Sequence, residues 1–139
     1  MLVKEHEKQQ SMTNLESLLQ YELNCAKRYR RFLSIIMTGA VGIHTEMKEV
    51  WKTDEIRESD QFFDLEEGTA ILMPETDGAG AITAINRCLE VLGPDYDLRF
   101  GVASFPFDAQ STEDLLRIAE RRLQTAQKMP SRGTVIKNG

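Results

Sequence analysis

Two short stretches carry the side chains with the types and spacing to do chemistry. In Glu66-Glu67-Gly68, adjacent carboxylates offer hard oxygen ligands of the kind a divalent cation takes. In Arg57-Glu58-Ser59-Asp60, a guanidinium that can fork onto phosphate oxygens stands three residues from a carboxylate that can accept hydrogen bonds. Both arrangements also have plainer readings. Two glutamates before a glycine make a solvated acidic turn, and an Arg and an Asp three apart make a local ion pair worth about 0.3 kcal/mol. His6 and His44 have no partner motif, and Cys25 and Cys88 lie in separate helical stretches without metal-ligand spacing. Reduced thiols are expected, and no metal site.

The chain that must position these groups has 139 residues, enough for one ordinary domain. With 41% hydrophobic and 28% charged residues the composition is globular, and no apolar run is long enough to span a bilayer. A cytoplasmic protein without membrane contact is expected. The net charge of −5 argues against nucleic acid, because phosphate neutralisation needs a clustered basic face. Lys27-Arg28-Tyr29-Arg30-Arg31 is the main basic cluster, and it suits a helix C-terminus, where cations complement the dipole.

Thr13 to Glu16 matches a capping box, and Leu15, Leu18, Leu19, Leu23 and Ala26 follow at helical spacing. Residues 1–12 are therefore read as an extension or linker, and 13–139 as a single domain. Phe32 to Met37 suits a buried central strand, and a helix entered near Thr45 turns Met47, Val50 and Trp51 inward. Gln61 to Leu65 and Thr69 to Met73 flank Glu66-Glu67-Gly68 as a β-hairpin, with Gly68 expected to supply a positive φ in the turn. Thr76 or Asp77 caps a helix that Gly93-Pro94 stops; Leu98 to Phe105 is a strand, Ser111 caps a last helix, and Val135-Ile136 forms an edge strand. The order strand, helix, hairpin, helix, strand is the ferredoxin-like α+β arrangement, an antiparallel sheet with helices expected on one face.

Four stretches add to this pattern. They are Glu22-Leu23-x-x-Ala26-x-Arg28-Tyr29-x-Arg31, Arg57-Glu58-Ser59-Asp60, Ile71-Leu72-Met73-Pro74-Glu75-Thr76-Asp77, and Phe100-Gly101-Val102-Ala103-Ser104-Phe105-Pro106 leading to Leu115-Leu116-x-x-Ala119-Glu120. In order and spacing, from about Ser11 to Gly133, the chain resembles the GGDEF family, the diguanylate cyclases of bacterial signalling. The resemblance implies a nucleotide-cyclase fold with a central antiparallel sheet and flanking helices. It also implies a dimeric reaction in which each domain holds one GTP and two metal ions and two GTP condense to cyclic di-GMP.

The catalytic positions depart from the family's pattern. Thr38-Gly39 stands where the family has a metal-binding aspartate, and no Asp or Glu occurs between Glu22 and Glu46. Glu66, Glu67 and Gly68 replace paired glycines followed by acids, and without a carboxylate opposite them the two glutamates repel a triphosphate. Between Thr38 and Arg57 there is room for one helix where the family has two. Gln127 replaces the family's phosphate-reaching lysine, and Lys128, one position on, points about a quarter-turn away. The resemblance thus implies a relative without cyclase activity, metal or cofactor. It also implies a retained inhibitory-type site for cyclic di-GMP built from Arg57, Asp60 and Arg87. Two functions follow as expectations: a cyclic di-GMP receptor, or a ligand-independent domain for docking a protein partner or forming a homodimer. For the second, the expected surfaces are the first helix and the face uncovered by the missing helix, where Trp51, Phe62 and Phe63 either form an exposed aromatic patch or are covered by helices and a neighbouring loop. An active diguanylate cyclase is the remote alternative.

Overall fold

The computed structural model describes residues 2–39, 44–53, 59–93, 96–130 and 135–137, with side chains from residue 9 onward except at 44, 45, 52, 53 and 135. The first helix, α1 (Leu2–Tyr29), runs straight through the capping box expected at Thr13. Thr13 lies inside the helix and its hydroxyl donates to the Gln9 carbonyl one turn back, at 3.1 Å. The reason is local: residues 2–12 contain no Gly or Pro and are rich in Lys, Glu and Gln, so nothing halts a helix propagating toward the N-terminus. Leu15, Leu19, Leu23 and Ala26 form its buried stripe. Its C-terminus closes with Arg30 in the left-handed region at φ 54°, while the Arg31 N–H reaches the Ala26 carbonyl at 2.9 Å. That is a six-residue Schellman closure.

Five strands form one sheet. They are β1 (Leu33–Thr38), β2 (Gln61–Leu65), β3 (Gly68–Pro74), β4 (Phe100–Phe105) and β5 (Val135–Ile136), in the order β2-β3-β1-β4-β5. β1 pairs antiparallel with both β3 and β4, and the short β5 adds parallel to β4. The remaining helices are α2 (His44–Thr53), α3 (Gly78–Leu92) and α4 (Thr112–Gln127). Asp77 caps α3 through Oδ1, which accepts from the Gly80 N–H at 2.8 Å, and Ser111 caps α4.

Helices cover both faces of the sheet, which corrects the expectation of one covered face. Leu33, Ile35 and Met37 of β1 pack with the α1 and α4 side chains, while Ile36 packs with Met47 and Trp51 of α2 and Ile85 of α3. Successive strand residues point to opposite faces, and every residue of β1, β3 and β4 is buried, so both faces require a cover. On one side α4 lies in backbone contact with the sheet: a side chain at Gly101 would run into the Ala119 carbonyl and the Leu123 amide.

The hairpin also differs from the expected one. Leu65 pairs directly with Gly68, so the turn consists of Glu66 and Glu67 alone, and Gly68 is the first residue of β3. Its φ of 159° is almost extended. Glycine is required there because a side chain would collide with the Thr38 carbonyl oxygen.

Candidate functional site

At the Thr38 end of β1, the hairpin turn and the last turns of α4 enclose a cleft of about 290 Å³. Thr38, Glu66, Glu67, Gly68 and Gln127 all line it. Gly39 adjoins it as well, because the Gln127 side-chain amide occupies the place where a residue-39 side chain would stand. The fold therefore gathers all six positions at which the sequence departs from the family's catalytic pattern. Apolar surface comes from Met12, Met37, Leu65 and Leu123, and Glu120 adds a third carboxylate. Among the described residues no Lys or Arg lines the cleft. Its field favours cations and opposes a triphosphate.

Among the described residues no three His, Cys, Asp or Glu converge to hold an ion. Thr38 and Thr69 are register partners, both buried, and their hydroxyls have no hydrogen-bond partner among the described residues. By strand alternation they lie on the α2/α3 side of the sheet. Magnesium is held in such sites by one or two carboxylates together with substrate phosphates, and neutral hydroxyls do not replace them.

The second group of residues lies near the start of β2. Asp60 is half-buried, and its Oδ2 accepts a hydrogen bond from the Trp51 indole N–H at 3.2 Å. Arg87 is exposed on α3, next to the buried Cys88. Arg57 falls outside the described residues, so of the Arg57, Asp60 and Arg87 set the structure places two.

No protein-family model matches the sequence, and no curated protein matches it. Solved structures do. The GGDEF domain of YfiN (TpbB) from Pseudomonas aeruginosa superposes with a TM-score of 0.74 at 19% identity, over 91% of this chain and 88% of that one. The active GGEEF domain of a diguanylate cyclase from Vibrio cholerae gives 0.71 at 16% identity, over 90% and 94% of the two chains. The diguanylate cyclase SiaD from Pseudomonas aeruginosa, in complex with its activator SiaC, gives 0.69 at 14% identity, covering 91% of this chain and 57% of that chain. The chain has the GGDEF-domain fold.

On this GGDEF fold several expected features are relocated. Trp51, Phe62 and Phe63 form no exposed aromatic patch. Trp51 is 1% exposed and meets Phe62 edge to face, with centroids 5.6 Å apart, and Phe63 packs on the other core with α1 and α4. The alternation of a strand sends the two phenylalanines to opposite cores, and each core has room for one. Among the described residues the exposed aromatics are Tyr21, Tyr29, Phe32, Tyr96 and Phe107.

Sequence reasoning also missed Arg122. Its guanidinium is buried between the Val102 carbonyl, at 2.7 Å, and Asp108 Oδ1, at 2.9 Å, while Asp108 Oδ2 accepts the Ser104 N–H. The signal was present, since Arg122 falls on the same stripe of α4 as Leu115, Ala119 and Ala126. Among the described residues no helix is long and apolar enough to cross a membrane.

Proposed function

We propose that this GGDEF-fold domain is catalytically inactive and acts in bacterial signalling through protein contacts. The observation that carries this reading is the lining of the cleft at the Thr38 end of β1. Glu66, Glu67 and Glu120 stand there with no Lys or Arg among the described residues, and Thr38 and Gln127 occupy positions where the family resemblance calls for an aspartate and a lysine. Phosphoryl transfer of the GGDEF kind is mostly positioning plus charge neutralisation by metal ions and cations. A cleft of this charge supplies neither.

A second reading, a cyclic di-GMP receptor, draws support from Asp60. Its carboxylate is half-buried and oriented by Trp51, and a fixed acceptor of that kind suits guanine nitrogens. The same hydrogen bond also occupies one of its oxygens, and for that reason we favour protein contacts. Isothermal titration calorimetry separates the two. Protein contacts as the sole role predict no heat with cyclic di-GMP or with GTP and magnesium at ligand concentrations near about 1 mM. Binding of cyclic di-GMP that Asp60→Ala and Arg57→Ala abolish, with GTP still silent, would establish the receptor instead.

A further inference from the structure

We propose that copies of this chain associate head to tail, the basic aromatic end of one molecule seating in the acidic cleft of the next. The inference rests on the protein-contact reading above, because a nucleotide held in that cleft would displace the contact.

The two surfaces lie at opposite ends of β1. At the Leu33 end, Tyr29, Phe32 and Phe107 are 56%, 44% and 81% exposed. The Phe32 and Phe107 rings stack with centroids 6.4 Å apart and planes within 10°. Arg28 and Arg31 each stand 5.5 Å from the centroid of the Tyr29 ring. Arg31 is paired with Glu75, so Arg28 and Arg30, both exposed, carry the outward charge of this end.

The Thr38 end has the opposite character. Glu66, Glu67 and Glu120 surround apolar surface that includes Met12 and Met37. Carboxylates take guanidinium groups in two-pronged hydrogen bonds, and thioethers pack well against aromatic rings. Arginines beside exposed rings at one end thus match glutamates beside methionines at the other. This match in charge and chemistry favours a second copy over an unrelated basic partner, since both halves of the contact are present in one chain.

The ends cannot meet within one molecule, because the length of β1 separates them by roughly 20 Å. Between molecules the contact joins unlike surfaces, so it propagates along a row where a two-fold dimer would close. The net charge of −5 opposes the approach of copies and makes the association weak.

Sedimentation velocity on the full chain tests this at low salt and at about 1 M salt, where the screening length is about 3 Å. The wild type should gain mass with concentration, passing beyond a dimer at low salt and shrinking at high salt. The double variants Glu66→Gln/Glu67→Gln and Arg28→Gln/Arg30→Gln change exposed residues only, remove charge without reversing it, and circular dichroism should show both folded. Each should sediment as a monomer. An equimolar mixture should form a dimer that grows no further, since each partner offers one intact wild-type surface. A wild type that stays monomeric, that stops at a closed dimer, or that is unaffected by either double variant would overturn the proposal, as would a mixture that fails to pair. The readout is mass and not nucleotide binding, so the association can fail while the protein-contact reading stands.

Discussion

Gly68 lies directly against the carbonyl oxygen of Thr38, with no room between them for a side chain. This contact joins the start of β3 to the end of the central strand and sets the distance between the hairpin turn and the cleft floor. A methyl group at position 68 meets backbone, which cannot swing aside as a side chain would. Gly68→Ala is expected to destabilise the fold by about 2–3 kcal/mol, the upper range for overpacking. Urea unfolding checks it. The same substitution at Gly93, whose φ of 82° and ψ of −178° lie in a region essentially confined to glycine, should cost about 1–3 kcal/mol through backbone strain alone, with open space around it.

Arg122 and Asp108 tie the loop after β4 to α4. The side chains are 7% and 18% exposed, so removing the guanidinium leaves a carboxylate in a largely dry place. Arg122→Leu is expected to destabilise by about 3 kcal/mol. Adding Asp108→Asn should recover part of that loss, since the amide oxygen can still accept the Ser104 N–H. A double-mutant cycle in urea measures the recovery.

Much of this architecture was legible in the sequence, and the misses have physical causes. The apolar run from Leu33 to Met37 marked the central strand, and the cap at Asp77 and the stop at Gly93 bounded α3 as expected. The Thr13 to Glu16 box misplaced the start of α1 because a Ser or Thr followed by Glu also occurs inside helices, where the hydroxyl bonds back to a carbonyl. The two-sided cover was present in the sequence too, in the absence of polar alternation along β1, but α1 and α4 had not been assigned to a face. Gly68 was read as a turn residue because its constraint comes from Thr38, thirty positions away in the chain, which no local pattern carries. Thr38, Gly39, Glu66, Glu67, Gly68 and Gln127 stand in three separate stretches of the sequence, and their convergence on one cleft required the fold, as did Glu120 and the exposed rings at the other end.

Glu22 offers a test by pH. Burial, reinforced by the nearby Glu75 carboxylate, holds its carboxyl above the usual range. The folded state therefore favours the protonated form, and the stabilisation this gives, complete below the unfolded value of about 4.3, is lost as pH rises through the folded value. At neutral pH the ionised carboxylate costs stability. Glu22→Gln should raise the thermal midpoint slightly at about pH 7, and the gain should disappear below about pH 4. Solvent screening keeps the effect small.

The two thiols should separate by reactivity. Burial pushes the Cys88 thiol up to about 11, whereas Cys25 is only partly covered. Alkylation of the native protein near pH 8, followed by mass spectrometry of the peptides, should modify Cys25 first. Cys88 should react only after denaturant is added.

On the function proposed above, the acidic cleft of this GGDEF fold makes no cyclic di-GMP. Incubation of the purified chain with GTP and magnesium or manganese, with chromatography of the nucleotides, tests it most directly. The account predicts no cyclic di-GMP above the protein-free control, at protein concentrations high enough to drive any self-association. Cyclic di-GMP that accumulates in proportion to protein and is lost in Glu66→Gln/Glu67→Gln would contradict it and make the two glutamates metal ligands.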